Sequence, residues 1–369
     1  SMSEESGPHP RITRLRLAGF RSIGEAELEL RPINVLIGPN GSGKSNLVGS
    51  FRMLSHMMTR EPRLQEYVGR TGGASDLLTD GPAATPQLSV ELVLRTEKGA
   101  NEYAFRLFHA APDRLVFAEE RFRYLPEDHP PEERKWFQIE AAGRTEPQIQ
   151  RLGEEGNRTA RVIHGLLGRC KVFQFHDTSA QARIRQYCPA HDNHYLREDG
   201  ANLAAFLLRM AGEHPAHYRE VVANLRAILP FFDDFELEPE ASGAIMLKWR
   251  EQGADTLFAA HQASDGMLRA MALVALLCQP AEWLPGVVVI DEPELGLHPR
   301  ALDRIADLAA TASRDCQILM ATQSPDLLAT FEAEDILIAE RQGRHSHFRR
   351  VGEDELEQWL GDYSAEVEG

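Results

Sequence analysis

The stretch Gly38–Ser45, GPNGSGKS, constrains this chain more than any other part of it. It has the spacing G-x-x-x-x-G-K-[ST], and its flanks are those the spacing requires. INVLI precedes it, apolar except for Asn34, as in a strand buried on both faces. A helix is expected after it, from Asn46 to about Thr59, with Leu47, Phe51, Leu54 and Met58 on one face. Gly38, Gly41 and Gly43 let backbone N–H groups converge on phosphate oxygens, with Pro39, Asn40, Ser42 and Asn46 completing the loop. The helix N-terminus adds its positive dipole end. Lys44 supplies a point charge for the β- and γ-phosphates, and Ser45 a hydroxyl for Mg²⁺.

Such a site needs an acidic second half at the end of a strand. VVVIDEPELGLHP, residues 287–299, provides it: four apolar residues, then Asp291 and Glu292, where a parallel strand opens to its ligand crevice. Asp291 is assigned to Mg²⁺, through water, and Glu292 to orienting or deprotonating the attacking water.

The remaining pattern alternates strands and helices. Strands are expected at Ile12–Leu17, in GEAELEL, at Lys171–Phe175, Gly286–Ile290 and Gln317–Ala321, and near the end at Asp335–Glu340 and His347–Val351. Three strand-like runs between residues 87 and 125, separated by turn residues, predict an antiparallel sub-sheet. Residues 126–160, polar and proline-bearing, read as a surface loop region. Residues 200–228 read as helical, FDDFELEPE and AIMLKWRE as a hairpin, and Ser264–Cys278 and Arg300–Ser313 as helices. The fold class is α/β, with a mixed central sheet, an antiparallel β sub-sheet and a helical lobe. Four units follow: residues 11–180 with the phosphate loop, a helical and hairpin insertion at 181–255, a C-terminal lobe at 256–352, and a tail at 353–369.

Composition narrows the function classes. The 369 residues are 43% hydrophobic and 26% charged, ordinary for a globular protein. The net charge of −16 argues against a whole-surface polyanion binder but leaves room for a local basic groove. The four scattered cysteines read as reduced thiols. No apolar stretch approaches bilayer length, and SMSEESGPHP lacks a leader's basic-then-apolar pattern, so a cytoplasmic protein without a membrane partner is expected. His191, Asp192 and His194 lack further residues at ligand spacing and read as a polar loop.

DEP followed by ELGLHP resembles the Walker B and D-loop of ABC-type ATPases, and more narrowly the RecF, SMC and OLD nuclease branch, where Leu-His-Pro follows. LAGFRSIGEAELEL with INVLIGPNGSGKSN, GGASDLLTDG, KVFQFHDTS and REDGANLAAFLL are similar to stand-alone ATPases of that branch, so the resemblance spans most of residues 11–340. It implies a P-loop NTPase fold of the ABC-ATPase head type, ATP and Mg²⁺ as ligands, and ATP hydrolysis by an ATP-dependent homodimer. It also implies a signature motif. Ala263-Ser264-Asp265-Gly266-Met267 is the match, with Ser264 and Gly266 directed at the ATP of a second copy and Asp265 standing in place of a glycine. Gln174 is the glutamine-loop candidate facing the metal, with His176 or Asp177 as equal alternatives, and Arg21 resembles a family arginine near the nucleotide. Gln323 stands where these ATPases carry a switch histidine. It can donate the same hydrogen bond to a terminal phosphate but cannot titrate. With Glu292 and Lys44 it completes the expected catalytic set.

The family's work is DNA repair, chromosome maintenance or phage defence. RQGRHSHFRR, residues 341–350, together with the arginines of RITRLRLAGFR, is the candidate basic groove for DNA. No long arms and no nuclease domain are recognisable, so any effector is expected on a separate chain. Two alternatives stand beside this reading. One is a nucleotide-gated scaffold with slow turnover, against which Glu292 argues. The other is a transporter's ATPase subunit, against which the separation of about 220 residues between Lys44 and Ser264 argues.

Overall fold

The computed structural model describes residues 9–368; the opening residues on which the no-leader expectation partly rests lie outside that range. Two six-stranded sheets carry the fold. The central one contains β3 (Ile33–Ile37), β8 (Cys170–Phe173), β14 (Val287–Asp291), β15 (Gln317–Thr322), β16 (Ile336–Gln342) and β17 (His345–Arg349), in the order β17-β16-β3-β15-β14-β8. Every pairing is parallel except the β16–β17 hairpin. β3 and β15 are buried throughout, as both-face coverage of a parallel sheet demands. Ile37 lies opposite Thr322, Ala321 opposite Asp291, and Ile290 opposite Phe173, so these strands release their chains at one edge.

The outer sheet is antiparallel: β1 (Arg11–Phe20), β2 (Ile23–Glu29), β4 (Gln87–Thr96), β5 (Gly99–Ala110), β6 (Arg114–Pro126) and β7 (Phe137–Gln138), ordered β2-β1-β4-β5-β6-β7. It contains the three runs expected as a sub-sheet and adds the first two strands to them. Alternation along β3 divides its side chains between two cores: Leu36 joins the apolar layer toward the outer sheet, Val35 and Ile37 the opposite layer. The first layer also holds α1 (Lys44–Met57), α2 (Leu64–Arg70), α3 (Ala74–Leu77), α4 (Ile149–Glu154) and α5 (Arg158–Gly168). The second holds α6 (Leu203–Glu213), α7 (Pro215–Ile228), α8 (Asp265–Cys278), α9 (Pro299–Ala312) and α10 (Glu353–Glu368). No described helix is long and apolar enough to cross a membrane.

Several expectations need correction. Residues 126–160 are not loop throughout: α4 and the start of α5 lie there, with the Asn157 side chain capping α5 by accepting from Ala160 N–H. Ile163, Leu166 and Leu167 bury a narrow stripe that the surrounding arginines and glycines obscured. The helical stretch 200–228 is two helices, divided at His214–Pro215, where the proline cannot donate the hydrogen bond a continuous helix needs. The expected hairpin forms only in part. β10 (Phe232–Phe235) pairs with β12 (Lys248–Glu251), which pairs with β13 (Leu257–Ala259), whereas β11 (Ala244–Ile245) leaves to pair with β9 (Cys188–Pro189). The residues assigned to a tail form α10, which buries Leu356 and Tyr363. The units expected at 11–180 and 256–352 share one sheet, since β3 and β8 pair into it with β14–β16.

One buried amide joins the two sheets. Gln317, at the start of β15, accepts from Ile12 N–H of the outer sheet at 2.8 Å and donates to Ile12 C=O at 2.6 Å and Arg31 C=O at 3.0 Å. Asn34, the polar residue in an otherwise apolar strand, donates to Arg31 C=O at 2.8 Å and Ile318 C=O at 3.1 Å. Replacing Gln317 with Leu leaves the buried Ile12 N–H and C=O unpaired and should cost about 2–4 kcal/mol of stability. Chemical denaturation of the two proteins measures it.

Candidate functional site

The loop Gly38–Gly43 arches between β3 and α1. Gly43 sits at φ +107°, and a Cβ there would collide with the Ser346 side chain of the β16–β17 hairpin. The hairpin therefore braces the loop at a point where only glycine fits. The brace is polar as well: Asn46 donates to Ser22 Oγ at 2.6 Å, Ser22 Oγ lies 2.6 Å from Ser346 Oγ, and Ser346 N–H donates to Ser22 C=O at 2.8 Å. Thus Asn46, expected among the nucleotide contacts, has its amide engaged in the brace.

Lys44 is buried, and its amine folds back on the loop, donating to the Gly38 and Pro39 carbonyls. Burial pulls this amine below the ordinary lysine range, opposed by the charges of Glu292, Glu294 and Asp291. Ser42 Oγ is buried without a partner, and among the described residues the N–H groups of Asn40, Gly41 and Gly43 find no protein acceptor. Ser45, the second residue of α1, is exposed. These groups form an anion cradle at the start of a 14-residue helix.

Across the edge stand the acids. Asp291 ends β14. Burial raises its carboxyl above the usual range, with His176 pulling it back down. Gln174 donates to Asp291 Oδ2 at 3.3 Å and lies 2.9 Å from His176 Nδ1, while His176 Nε2 lies 3.0 Å from the Asp291 carbonyl and 3.8 Å from Glu292 Oε2. The contacts fit an imidazole protonated on Nε2. Gln174 and His176 therefore both reach the acidic pair. Asp177 turns away to the Ser179 N–H and hydroxyl. Glu292 adopts φ +49°, a left-handed conformation uncommon for a residue with a side chain, and is held there by N–H donation to Ala321 C=O at 2.8 Å. The oxygen-rich set of Ser45, Asp291 and Gln174 suits Mg²⁺.

Glu294 is a residue the sequence reading passed over. It accepts from Thr322 Oγ1 at 2.6 Å and from Gln323 N–H at 3.2 Å, and burial raises its carboxyl. Tyr363 of α10 donates to Gln323 C=O at 2.6 Å. The backbone of Gln323 is thus pinned from both sides, a placement that its strand-then-turn sequence could not disclose. Glu294 lay within a quoted motif, but no periodicity tells which carboxylate of DEPE turns inward.

Arg21 immediately precedes Ser22 of the brace. It occupies a left-handed turn at φ +50°, its N–H donates to Leu77 C=O at 2.8 Å, and its Nε is buried without a partner beside Tyr67. Ser264 caps α8, accepting from Met267 N–H at 3.3 Å. A Cβ on Gly266 would strike the Gly296 carbonyl. Among the described residues, no hydrogen bond of Ser264, Asp265 or Gly266 reaches the loop 38–45. The two arginine-rich runs meet at one open cleft, lined by Arg14 and Arg350, but carboxylates including Glu29, Glu102, Glu334 and Glu355 are interleaved with the arginines there. Arg14 pairs with Glu27, Arg16 with Glu25, Arg344 with Asp80 and Arg349 with Glu340, while Arg350 donates to the Glu29 and Glu334 carbonyls. Strand pairing brings Glu25, Glu27 and Glu340 within diagonal reach of the arginines, and a turn brings Asp80, which one-dimensional charge counting does not register.

Fold and site together define a P-loop ATPase of the ABC head type, in the RecF- and SMC-like group. Residues 33–329 match the family described as AAA domain, putative AbiEii toxin, Type IV TA system, and the chain belongs to that family. Shorter matches link it to the DNA replication and repair protein RecF. One is from Corynebacterium jeikeium (strain K411), 36% identical over 62 residues, 16% of this chain and 15% of the relative. Another is from Magnetococcus marinus (strain ATCC BAA-1437 / JCM 17883 / MC-1), 49% identical over 45 residues, 12% of each. The matched segments thus span only a small part of either RecF. Among solved structures, an SMC head bound to the C-winged helix domain of ScpA superposes with a TM-score of 0.61 at 15% identity, covering 94% of this chain and 99% of that one. An SMC head with an extended coiled coil, bound to the C-terminal domain of ScpA derived from Pyrococcus furiosus, gives 0.56 at 13% identity, covering 96% and 99%. At such identities the fold is what is shared.

The brace yields a test of loop geometry. Gly43→Ala should lower stability by about 2–4 kcal/mol, more than the 1–2 kcal/mol expected from a left-handed backbone alone, because Ser346 must also move. Thermal or chemical unfolding checks it.

Proposed function

We propose that this chain binds MgATP at Gly38–Ser45 and hydrolyses it, with two copies closing around two ATP molecules. The observation that carries the reading is the single sheet edge at which the Lys44 amine and the loop's free N–H groups face Asp291 and Glu292. Lys44 exchanges its loop carbonyls for the β- and γ-phosphates, over the N–H groups of Asn40, Gly41 and Gly43. Ser45, Asp291 and Gln174 hold Mg²⁺, which when bound offsets phosphate charge. Glu292 accepts a proton from the attacking water, in the orientation its left-handed backbone gives it. His176 donates Nε2–H to the Asp291 carbonyl, limiting the freedom of that strand end, and stands 3.8 Å from the Glu292 carboxylate. The Gln323 side chain donates to the γ-phosphate from a backbone fixed by Glu294 and Tyr363.

Ser264 and Gly266 serve the ATP of the second copy. Their position at the start of α8, without hydrogen bonds to their own loop, supports contact across a two-fold interface. For the wider role, the RecF matches favour work on DNA, with the arginine-bearing cleft at Arg14 and Arg350 as the candidate contact.

Glu292→Gln should slow turnover at least about a hundredfold, the share a general base commonly carries, and should trap the ATP-bound dimer. Sedimentation showing a monomer of this variant in saturating MgATP would overturn the sandwich. Gln323→Ala should lower kcat more than it weakens ATP binding, whereas unchanged turnover would remove Gln323 from the site. For the wider role, ATPase rates are compared with double-stranded DNA, with single-stranded DNA and with none; an unchanged rate and unchanged dimerisation would count against the DNA reading.

A further inference from the structure

Asp265 places a carboxylate one residue from Ser264 and Gly266, at a helix start that is to face a triphosphate. Left free it would repel that ligand. It is not left free. Arg185, carried on a short 3₁₀ turn at Arg183–Arg185, lies with its side chain only 8% exposed and sends Nη2 to Asp265 Oδ1 at 3.1 Å. Its remaining donors are fixed by backbone: Nε to Thr178 C=O at 2.8 Å, and Nη1 to the Ala260 and Ala263 carbonyls, each at 2.8 Å. The guanidinium is therefore a rigid fork, set in place before Asp265 is engaged. Thr178 adds a second hold. Its hydroxyl accepts from Arg269 Nη2 at 3.1 Å, and hydrogen bonding to Thr178, followed by the charges of Arg269 and Arg185, holds the Asp265 carboxyl below the usual range. Asp265 itself remains 61% exposed, so its charge faces the surface that the helix start presents.

We infer that Arg185 is a positioning residue that draws the Asp265 carboxylate aside and offsets its charge, so that Ser264 and Gly266 can receive the partner copy's phosphate. The inference rests on the ATP-sandwich reading above. It gives Arg185 two separable duties, holding the backbone before Ser264 and neutralising Asp265, and assigns the effect on dimerisation to the second.

The Glu292→Gln protein serves as the parent, with self-association followed by sedimentation in MgATP and ATP binding by a fluorescent analogue. Arg185→Gln in that parent should weaken self-association at least about tenfold while ATP binding to one chain changes less than about twofold, the pattern of a lost charge partner at an interface. Adding Asp265→Asn should restore most of the loss, because the charge that needed Arg185 is gone. Thr178→Val, which leaves the Arg185 backbone bonds intact, should weaken self-association in the same direction and be rescued by the same second change; it decides the matter if Arg185→Gln fails to fold. A double variant as weak as its single parent would overturn the inference, since the effect would then come from backbone support. So would Arg185→Gln, or in its place Thr178→Val, associating as tightly as the parent. If the Glu292→Gln parent itself stays monomeric, the sandwich reading falls and takes this inference with it, which separates the two failures.

Discussion

The common direction of β3, β8, β14 and β15 is the constraint on which the rest depends. Parallel pairing in register brings Ile37, Phe173, Asp291 and Thr322 to one edge, although they are scattered across most of the chain. Each strand end then delivers a different function: an anion loop, an amide and imidazole, two carboxylates, and a pinned backbone. A slip of one residue in any pairing would turn these groups into the apolar layers, so the cores that fix the register also fix the site.

The edge is held under local constraint. Glu292 keeps a left-handed backbone because its N–H is tied to Ala321 of the neighbouring strand, and Gly43 keeps its own because Ser346 leaves no room for a side chain. Half-buried carboxylates at Asp291 and Glu294 are raised by desolvation, while the Lys44 amine is lowered by it. Opposite charges facing one another across a partly dry cleft favour a ligand that bears both phosphate oxygens and a metal ion.

Much of this was legible in the sequence, and for physical reasons. The anion loop, its strand and its helix are contiguous, so their chemistry is local and readable. Asp291 and Glu292 follow a run of apolar β-branched residues that only a buried strand explains. The amphipathic stripes of α4 and α5 were missed because arginine and glycine interrupt them, although Asn157 was a readable cap. Gln174 and His176 could not be ranked, since both emerge at the end of β8 and only their shared contacts with Asp291 show that they act together. The arginines read as a basic groove carry partners that the sequence does not announce, because Glu25, Glu27 and Glu340 are brought in by strand pairing.

By itself the sequence determined the phosphate loop, the acidic strand end, the location of most strands and the family to which they belong, because each rests on residues within a few positions of one another. Only the tertiary structure decided that Glu294 and Tyr363 pin Gln323, that Gln317 joins the sheets, and that Arg185 reaches Asp265 across about 80 residues of chain. Those pairings follow from how the strands stack and where the helices cover them, and no local period records which distant side chain will lie opposite.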